Sequence, residues 1–175
     1  MRYLIVCGGK IDKEFGLNEI KTDGIDAIIA ADSGMDFLYE NGVTPDIIVG
    51  DFDSTTTNAL EYFERKGQTE IRRLNPIKDD TDTEYAIRLA ISEGARSIVL
   101  LGATGSRIDH VLGNISLLGI GLESGTDISI IDTNNRIRMA DKPVTIEKSA
   151  QYGRFVSLIA PVSYTHLRAH ETLAN

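Results

Sequence analysis

Three short stretches of the 175-residue chain gather carboxylates, glycines and a basic side chain at spacings suited to chemistry on phosphate. The first is Pro45-Asp46-Ile47-Ile48-Val49-Gly50-Asp51-Phe52-Asp53-Ser54. Asp51 and Asp53 follow an apolar run and lie two residues apart, so an extended backbone would aim both carboxylates to one side. Like charges placed so close are unfavourable unless a cation neutralises them. Mg²⁺ is the natural candidate, a hard ion that takes oxygen ligands and keeps waters for phosphate. Helix capping by Asp53 or Ser54 accounts for one acid of the pair, not for both.

The second stretch is Lys78-Asp79-Asp80-Thr81-Asp82-Thr83-Glu84. It opens a helix, where the dipole favours one or two acids without any functional reason. Four acids in six positions exceed that need, and Asp79 and Asp82, one helical turn apart, are the better metal candidates. The third is Gly102-Ala103-Thr104-Gly105-Ser106-Arg107-Ile108-Asp109-His110. Its glycines permit a turn whose N–H groups face an anion, and Arg107 can clamp phosphate oxygens. It is neither a Walker A loop nor a complete G-x-G-x-x-G fingerprint. The plainer alternative is a strand-to-helix turn capped by Ser106, with Arg107 solvated and His110 structural. Asp32-Ser33-Gly34 reads as a helix cap, and Cys7 as a small buried side chain. Together the three stretches describe Mg²⁺-dependent phosphate chemistry along one sheet edge.

The elements that must hold these residues alternate. Apolar runs at 3–7, 26–31, 46–50 and 97–101 suit strands buried on both faces of a parallel sheet. Amphipathic segments at 60–66, 83–93 and 109–123 suit the intervening helices, the first two stopped by Gly67 and Gly94. The fold class predicted is α/β, a doubly wound and mostly parallel sheet with ligands at the carboxyl ends of its strands. Beyond about residue 126 the pattern changes to short strand candidates at 127–132, 136–139, 144–148 and 154–159, split by turn residues. They are expected to begin a small antiparallel β-domain. The expected organisation is a catalytic α/β domain over 1–125, an incomplete β-domain over 126–161 and a tail over 162–175.

Composition narrows the partners. Eighteen basic against 26 acidic residues give a net charge of −8, and the pI is near 4.9. Such a chain repels phosphate backbones, so nucleic acid is not an expected partner. No apolar run nears the roughly 20 residues that span a bilayer, so no membrane partner is expected. One cysteine excludes an internal disulfide framework and fits a reducing, cytoplasmic setting. The tail VSYTHLRAHETLAN continues no strand pattern and resembles translated sequencing-adapter read-through. His166 and His170 within it are therefore not expected to be metal ligands.

In this order the motifs resemble the thiamine pyrophosphokinase family. The resemblance is carried by ADSG at 31–34, PDIIVGDFDS at 45–54, KDDTDTEYAI at 78–87, GATGSRIDHVLGNI at 102–115 and SLI at 157–159. It implies transfer of a diphosphoryl group from ATP to the hydroxyethyl oxygen of thiamine, giving AMP and thiamine diphosphate. It also implies an α/β catalytic domain followed by a β-sandwich, and a homodimer holding thiamine near the subunit interface. By motif, Asp51, Asp53, Asp79 and Asp82 would form the Mg²⁺ site, with Asp82 a candidate proton acceptor. Arg107, Asp109 and His110 match the G-x-R-x-D-H segment, Arg107 as the phosphate contact. Asp32, Ser33 and Gly34, with Gly102, Thr104, Gly105 and Ser106, would line the nucleotide, and Ser157 would lie near the thiamine pyrimidine. A chain ending within the sandwich would expose an unpaired edge, to the detriment of thiamine binding, dimerisation and solubility.

Two rivals follow from the same residues. Asp51-Phe52-Asp53-Ser54-Thr55 fits the D-x-D-x-T signature of a haloacid-dehalogenase-like phosphatase, with Asp51 as nucleophile. That signature belongs on a first strand, whereas two strand–helix units precede it here. The other rival is a nucleotide-binding module without catalysis, which binds ATP and does not turn it over.

Overall fold

Where the chain runs apolar on both sides of its backbone, it forms central strands. The computed structural model describes residues 1–52, 58–75 and 81–160. In chain order its elements are β1 (Arg2–Val6), α1 (Lys13–Ile20), β2 (Ala27–Ala31), α2 (Gly34–Glu40), β3 (Ile47–Gly50), α3 (Ala59–Lys66), β4 (Glu70–Arg73), α4 (Asp82–Ser92), β5 (Ser97–Leu101), α5 (Ile108–Ser124), β6 (Asp127–Ile131) and β7 (Arg136–Arg138). The strands form one sheet in the order β4-β3-β2-β1-β5-β6-β7, parallel throughout except for β7. The predicted α/β class is what the structure has.

Alternation along β1 shows how both faces are filled. Tyr3, Ile5 and Cys7 pack on one side with Ile87 and Ala90 of α4 and Leu118 of α5. Leu4 and Val6 pack on the other with Met35 and Leu38 of α2 and Phe63 of α3. Neither face is left to water from Tyr3 to Val6, so each of those positions is apolar or aromatic. The chain builds outward from β1 to β4, then returns to the other flank of β1 with β5. The order of connection therefore reverses between β1 and β5, and a crevice opens there above the carboxyl ends.

Two expectations need correction. The segments at 127–132 and 136–139 do not start a separate antiparallel domain. Residues Asp127–Ile131 pair parallel with β5 from Ser97↔Asp127 to Leu101↔Ile131, and Arg136–Arg138 pairs antiparallel on their outer side. The physical reason is that Ile128, Ser129, Ile130 and Ile131 are all buried, which is the signature of the parallel sheet and not of an alternating, one-sided strand. The candidates at 144–148 and 154–159 are not strands; Val144, Ile146, Phe155 and Ile159 are exposed, with no neighbouring strand among the described residues. Conversely, β4 escaped detection because its residues, Glu-Ile-Arg-Arg, sit at the sheet edge with charged side chains in water.

The chain divides into two compact units, Met1–Thr145 and Ile146–Asn175. The first holds the whole sheet. The described part of the second carries a single 3₁₀ turn, Lys148–Ala150. The tail over 162–175 lies outside the described residues. No described helix is long and apolar enough to cross a membrane.

Candidate functional site

Three elements end or begin with an acid at the same point. β2 ends at Ala31 and passes directly into Asp32; β3 ends at Gly50 and passes into Asp51; α4 begins with Asp82. One carboxylate oxygen from each lies within 4.8 Å of the other two. Asp32 is fixed there by its backbone, whose N–H donates to Val49 O of the adjacent strand at 2.8 Å. It also takes a left-handed conformation (φ 49°), uncommon for a residue with a side chain. Gly50 makes this approach possible, since the position of a Cβ there lies only 3.3 Å from the Asp32 Cα. Asp82 is set by the start of its helix, where the Thr81 side chain accepts from the Glu84 N–H at 3.1 Å. The positive end of the α4 dipole favours an acid there.

Asp51 is placed by an unexpected turn. The residue after it, Phe52, is also left-handed (φ 61°), its ring buried at 8% exposure and covered by the Arg73 guanidinium 5.4 Å from the ring centre. The backbone is thus not extended between Asp51 and Asp53, and the alternation argument for aiming both acids together does not apply. Asp53 and Asp79 lie outside the described residues. Asp82 is the first residue of α4.

Electrostatics mark Asp32 as the member that most needs a partner. Burial pushes its carboxyl above the ordinary carboxylate value, a backbone hydrogen bond at Ser33 partly offsets this, and the Asp82, Asp51 and Asp36 charges push it further up. Its Oδ1 is buried and has no hydrogen-bond partner among the described residues. An orphaned buried carboxylate oxygen beside two other carboxylates is what a hard divalent cation would satisfy. The donor set therefore fits Mg²⁺.

Asp32 and Asp82, but not Asp51, line a cleft of about 1300 Å³ over the β1–β5 crevice. Its floor is backbone. Gly9 donates to Gly102 O at 2.9 Å, and a Cβ on Gly9 would stand 2.2 Å from that same oxygen. Gly102 adopts φ 68°, which a glycine accepts without strain. Asn114 Nδ2 donates to Ala103 O at 2.8 Å and ties the glycine loop to α5. On the far side, Asp132 follows β6 and accepts from the N–H groups of Asn134 and Asn135, both at 2.8 Å. Burial raises its pKa, but these donors and the Thr104 hydroxyl outweigh it and hold the carboxyl below the ordinary value. Asp132 thereby anchors the loop that carries Thr104.

Most of the predicted contact residues reach this cleft. Asp32, Ser33, Asp82, Gly102, Thr104, Gly105, Ser106, Arg107, Asp109 and His110 all line it. Gly34 does not; it is buried beneath, where a Cβ would stand 1.9 Å from Val6 O. Ser33 occupies the N-cap position of α2, but its side chain makes no cap hydrogen bond, and the N-cap of α5 is Arg107 and not Ser106. Arg107 is exposed and paired with Asp109 at 2.6 Å, which holds the Asp109 carboxyl below its ordinary value. His110 stands 4.0 Å from the same carboxylate. Ser157 falls in the second unit, in a stretch without regular structure. The place of Asp32 in the acidic cluster and the Asp132 turn are not legible in the sequence. One signal joins them to Asp51: each is the aspartate immediately after a buried strand.

Residues 21–130 match the family described as thiamin pyrophosphokinase, catalytic domain. Thiamine pyrophosphokinase of Bacillus subtilis (strain 168) is 36% identical over 111 residues, 63% of this chain and 51% of that protein. A thiamine pyrophosphokinase 3 of Oryza sativa subsp. japonica is 35% identical over 80 residues, 42% of this chain and 30% of its own. Crystal structures of thiamine pyrophosphokinases from Bacillus subtilis and Geobacillus thermodenitrificans superpose with TM-scores of 0.68 and 0.65, each at 31% identity. They cover 79% and 78% of this chain, and 63% and 61% of their own. The chain thus spans about half the length of the Bacillus subtilis relative. With its matching segment running from the end of α1 into β6, more than half of the chain, the chain belongs to the thiamin pyrophosphokinase catalytic-domain family.

Proposed function

We propose that the chain is a thiamine diphosphokinase, moving the diphosphoryl group of ATP to the hydroxyethyl oxygen of thiamine. The observation that carries this reading is the meeting of Asp32, Asp51 and Asp82 at the mouth of the crevice. Family membership supports it over the haloacid-dehalogenase-like phosphatase, as does the position of Asp51 on the third strand and not the first.

Asp32, Asp51 and Asp82 would hold Mg²⁺, joined by Asp53 and Asp79, and the ion would offset charge on the transferring phosphate oxygens. The glycine loop over 102–106 would receive the nucleotide against its backbone, and Arg107 would turn from Asp109 to the phosphates. The thiamine oxygen attacks the β-phosphorus, the bond from that phosphorus to the α,β-bridging oxygen breaks, and AMP leaves with the electron pair. Asp82 takes the hydroxyl proton. Catalysis of this kind rests on positioning and electrostatics more than on covalent chemistry. Thiamine would be held near Ser157, in a cytoplasmic homodimer.

The test is AMP release by purified protein from ATP and Mg²⁺, with and without thiamine. Thiamine-dependent AMP is expected. Orthophosphate without AMP would restore the phosphatase, and ATP binding with no product would favour the non-catalytic module.

A further inference from the structure

The cleft is acidic in a way that a nucleotide polyphosphate would not tolerate unaided. Asp32, Asp82, Glu84 and Asp109 all line it. Against them, among the described residues, stand the side chains of Lys10 and Arg107. Arg107 is already engaged by Asp109, with its Nη2 at 2.6 Å from the carboxylate. The Lys10 side chain is exposed and makes no hydrogen bond or ion pair with any described residue.

The backbone around Lys10 is held at both sides. Gly8 and Gly9 fit so closely that a Cβ would come within 2.1 Å of Ser33 Oγ and 2.2 Å of Gly102 O respectively. The Gly9 N–H is bonded across the crevice to β5's loop at 2.9 Å. Two residues past Lys10, Asp12 caps α1, accepting from the Phe15 N–H at 2.9 Å. A lysine emerging between these two fixed points is delivered to the crevice, at the place where the sheet order reverses. The stem is flexible and the ammonium is a mobile point charge, which suits phosphate oxygens.

We infer that Lys10 is a polyphosphate-binding residue, its ammonium contacting the phosphate chain of the nucleotide on the β1 side of the crevice, across from Arg107. The inference rests on the reading of this cleft as a nucleotide site. It adds a side-chain cation to Arg107 in a cleft where Asp32, Asp51 and Asp82 would hold the metal that offsets phosphate charge.

The test is equilibrium binding of two probes, inorganic tripolyphosphate and ATP, each with Mg²⁺, to wild type, Lys10→Ala, Lys10→Arg and Lys13→Ala. Lys13 is exposed on the first turn of α1 and does not line the cleft, so it controls for loss of one positive charge. Lys10→Ala should weaken both probes about tenfold or more, as expected for a lost hydrogen bond to a charged group. Lys10→Arg should restore most of the loss, Lys13→Ala should bind as wild type does, and the melting temperature should not move. Unchanged binding of both probes in Lys10→Ala would overturn the inference. So would a loss confined to ATP, which would place Lys10 on the nucleoside, or wild-type protein that binds no tripolyphosphate. A wild type that makes AMP while Lys10→Ala binds normally sinks this inference and leaves the proposed function standing. A wild type that makes no product while Lys10→Ala loses tripolyphosphate does the reverse.

Discussion

Asp32 at the end of β2 and Asp82 at the start of α4 bring carboxylate oxygens within 4.8 Å of each other, with α2, β3, α3 and β4 between them in the chain. Two strand ends and a helix start have been folded onto one point, at the cost of a left-handed aspartate and like-charge repulsion. Backbone strain and electrostatic conflict at the same residue mark the place where the fold serves binding and not its own stability.

Replacing one of these acids should stabilise the metal-free protein. The folded-state pKa of Asp32 is raised, so the group favours the folded state below its ordinary value of 3.8. That contribution is lost as pH rises through the folded pKa. Asp32→Asn should therefore melt higher than wild type in EDTA at neutral pH, with the advantage vanishing toward pH values below the ordinary carboxylate range. Added Mg²⁺ should raise the melting temperature of wild type and not of the variant. Equal responses to Mg²⁺ in thermal melts would refute the metal assignment.

Gly34→Ala should be costly although it removes nothing. The new methyl would stand 1.9 Å from Val6 O and 3.1 Å from the carbonyl carbon of Cys7, backbone that cannot yield without moving β1. A loss of about 2 kcal/mol or more is expected, in the range of overpacked cores. Urea unfolding measures it, and an unshifted midpoint would contradict this packing.

Cys7 should be inert in the folded protein. Burial pushes its thiol up to about 11, a shift only partly offset by the Thr83 hydroxyl donating to the sulfur at 3.6 Å. Since the thiolate is the reactive form, a disulfide reagent at pH 8 should label it slowly in the native state and fully in guanidinium. Rapid native labelling would mean that the floor of the cleft is open at β1.

Much of the fold was readable because burial on two faces leaves a plain trace in sequence. The runs at 3–7, 26–31, 46–50 and 97–101 admit almost no polar residue, and each is a strand. The edge strand Glu70–Arg73 left no such trace, since its charges face water. The strand at 127–131 carries the same signal as the others, but the turn residues and missing helices that follow it in sequence point to an antiparallel domain, whereas it pairs parallel with β5. At the site, a strand-end position singles out Asp51, and an acid-rich helix start singles out Asp82. Their partner was not readable: the αL turn at Phe52 redirects the chain after Asp51, and Asp32 joins them through the pairing of β2 with β3. Those are properties of tertiary register, which spacing along one segment does not encode. Asp53 and Asp79 lie outside the described residues.

The most direct measurement is product analysis by ³¹P NMR of one reaction containing ATP, Mg²⁺ and thiamine, run with wild type and with Asp82→Asn. The account predicts AMP and thiamine diphosphate rising together in equal amounts with wild type, no orthophosphate, and loss of both products in the variant. Orthophosphate in place of AMP, or equal rates in the two proteins, would contradict it.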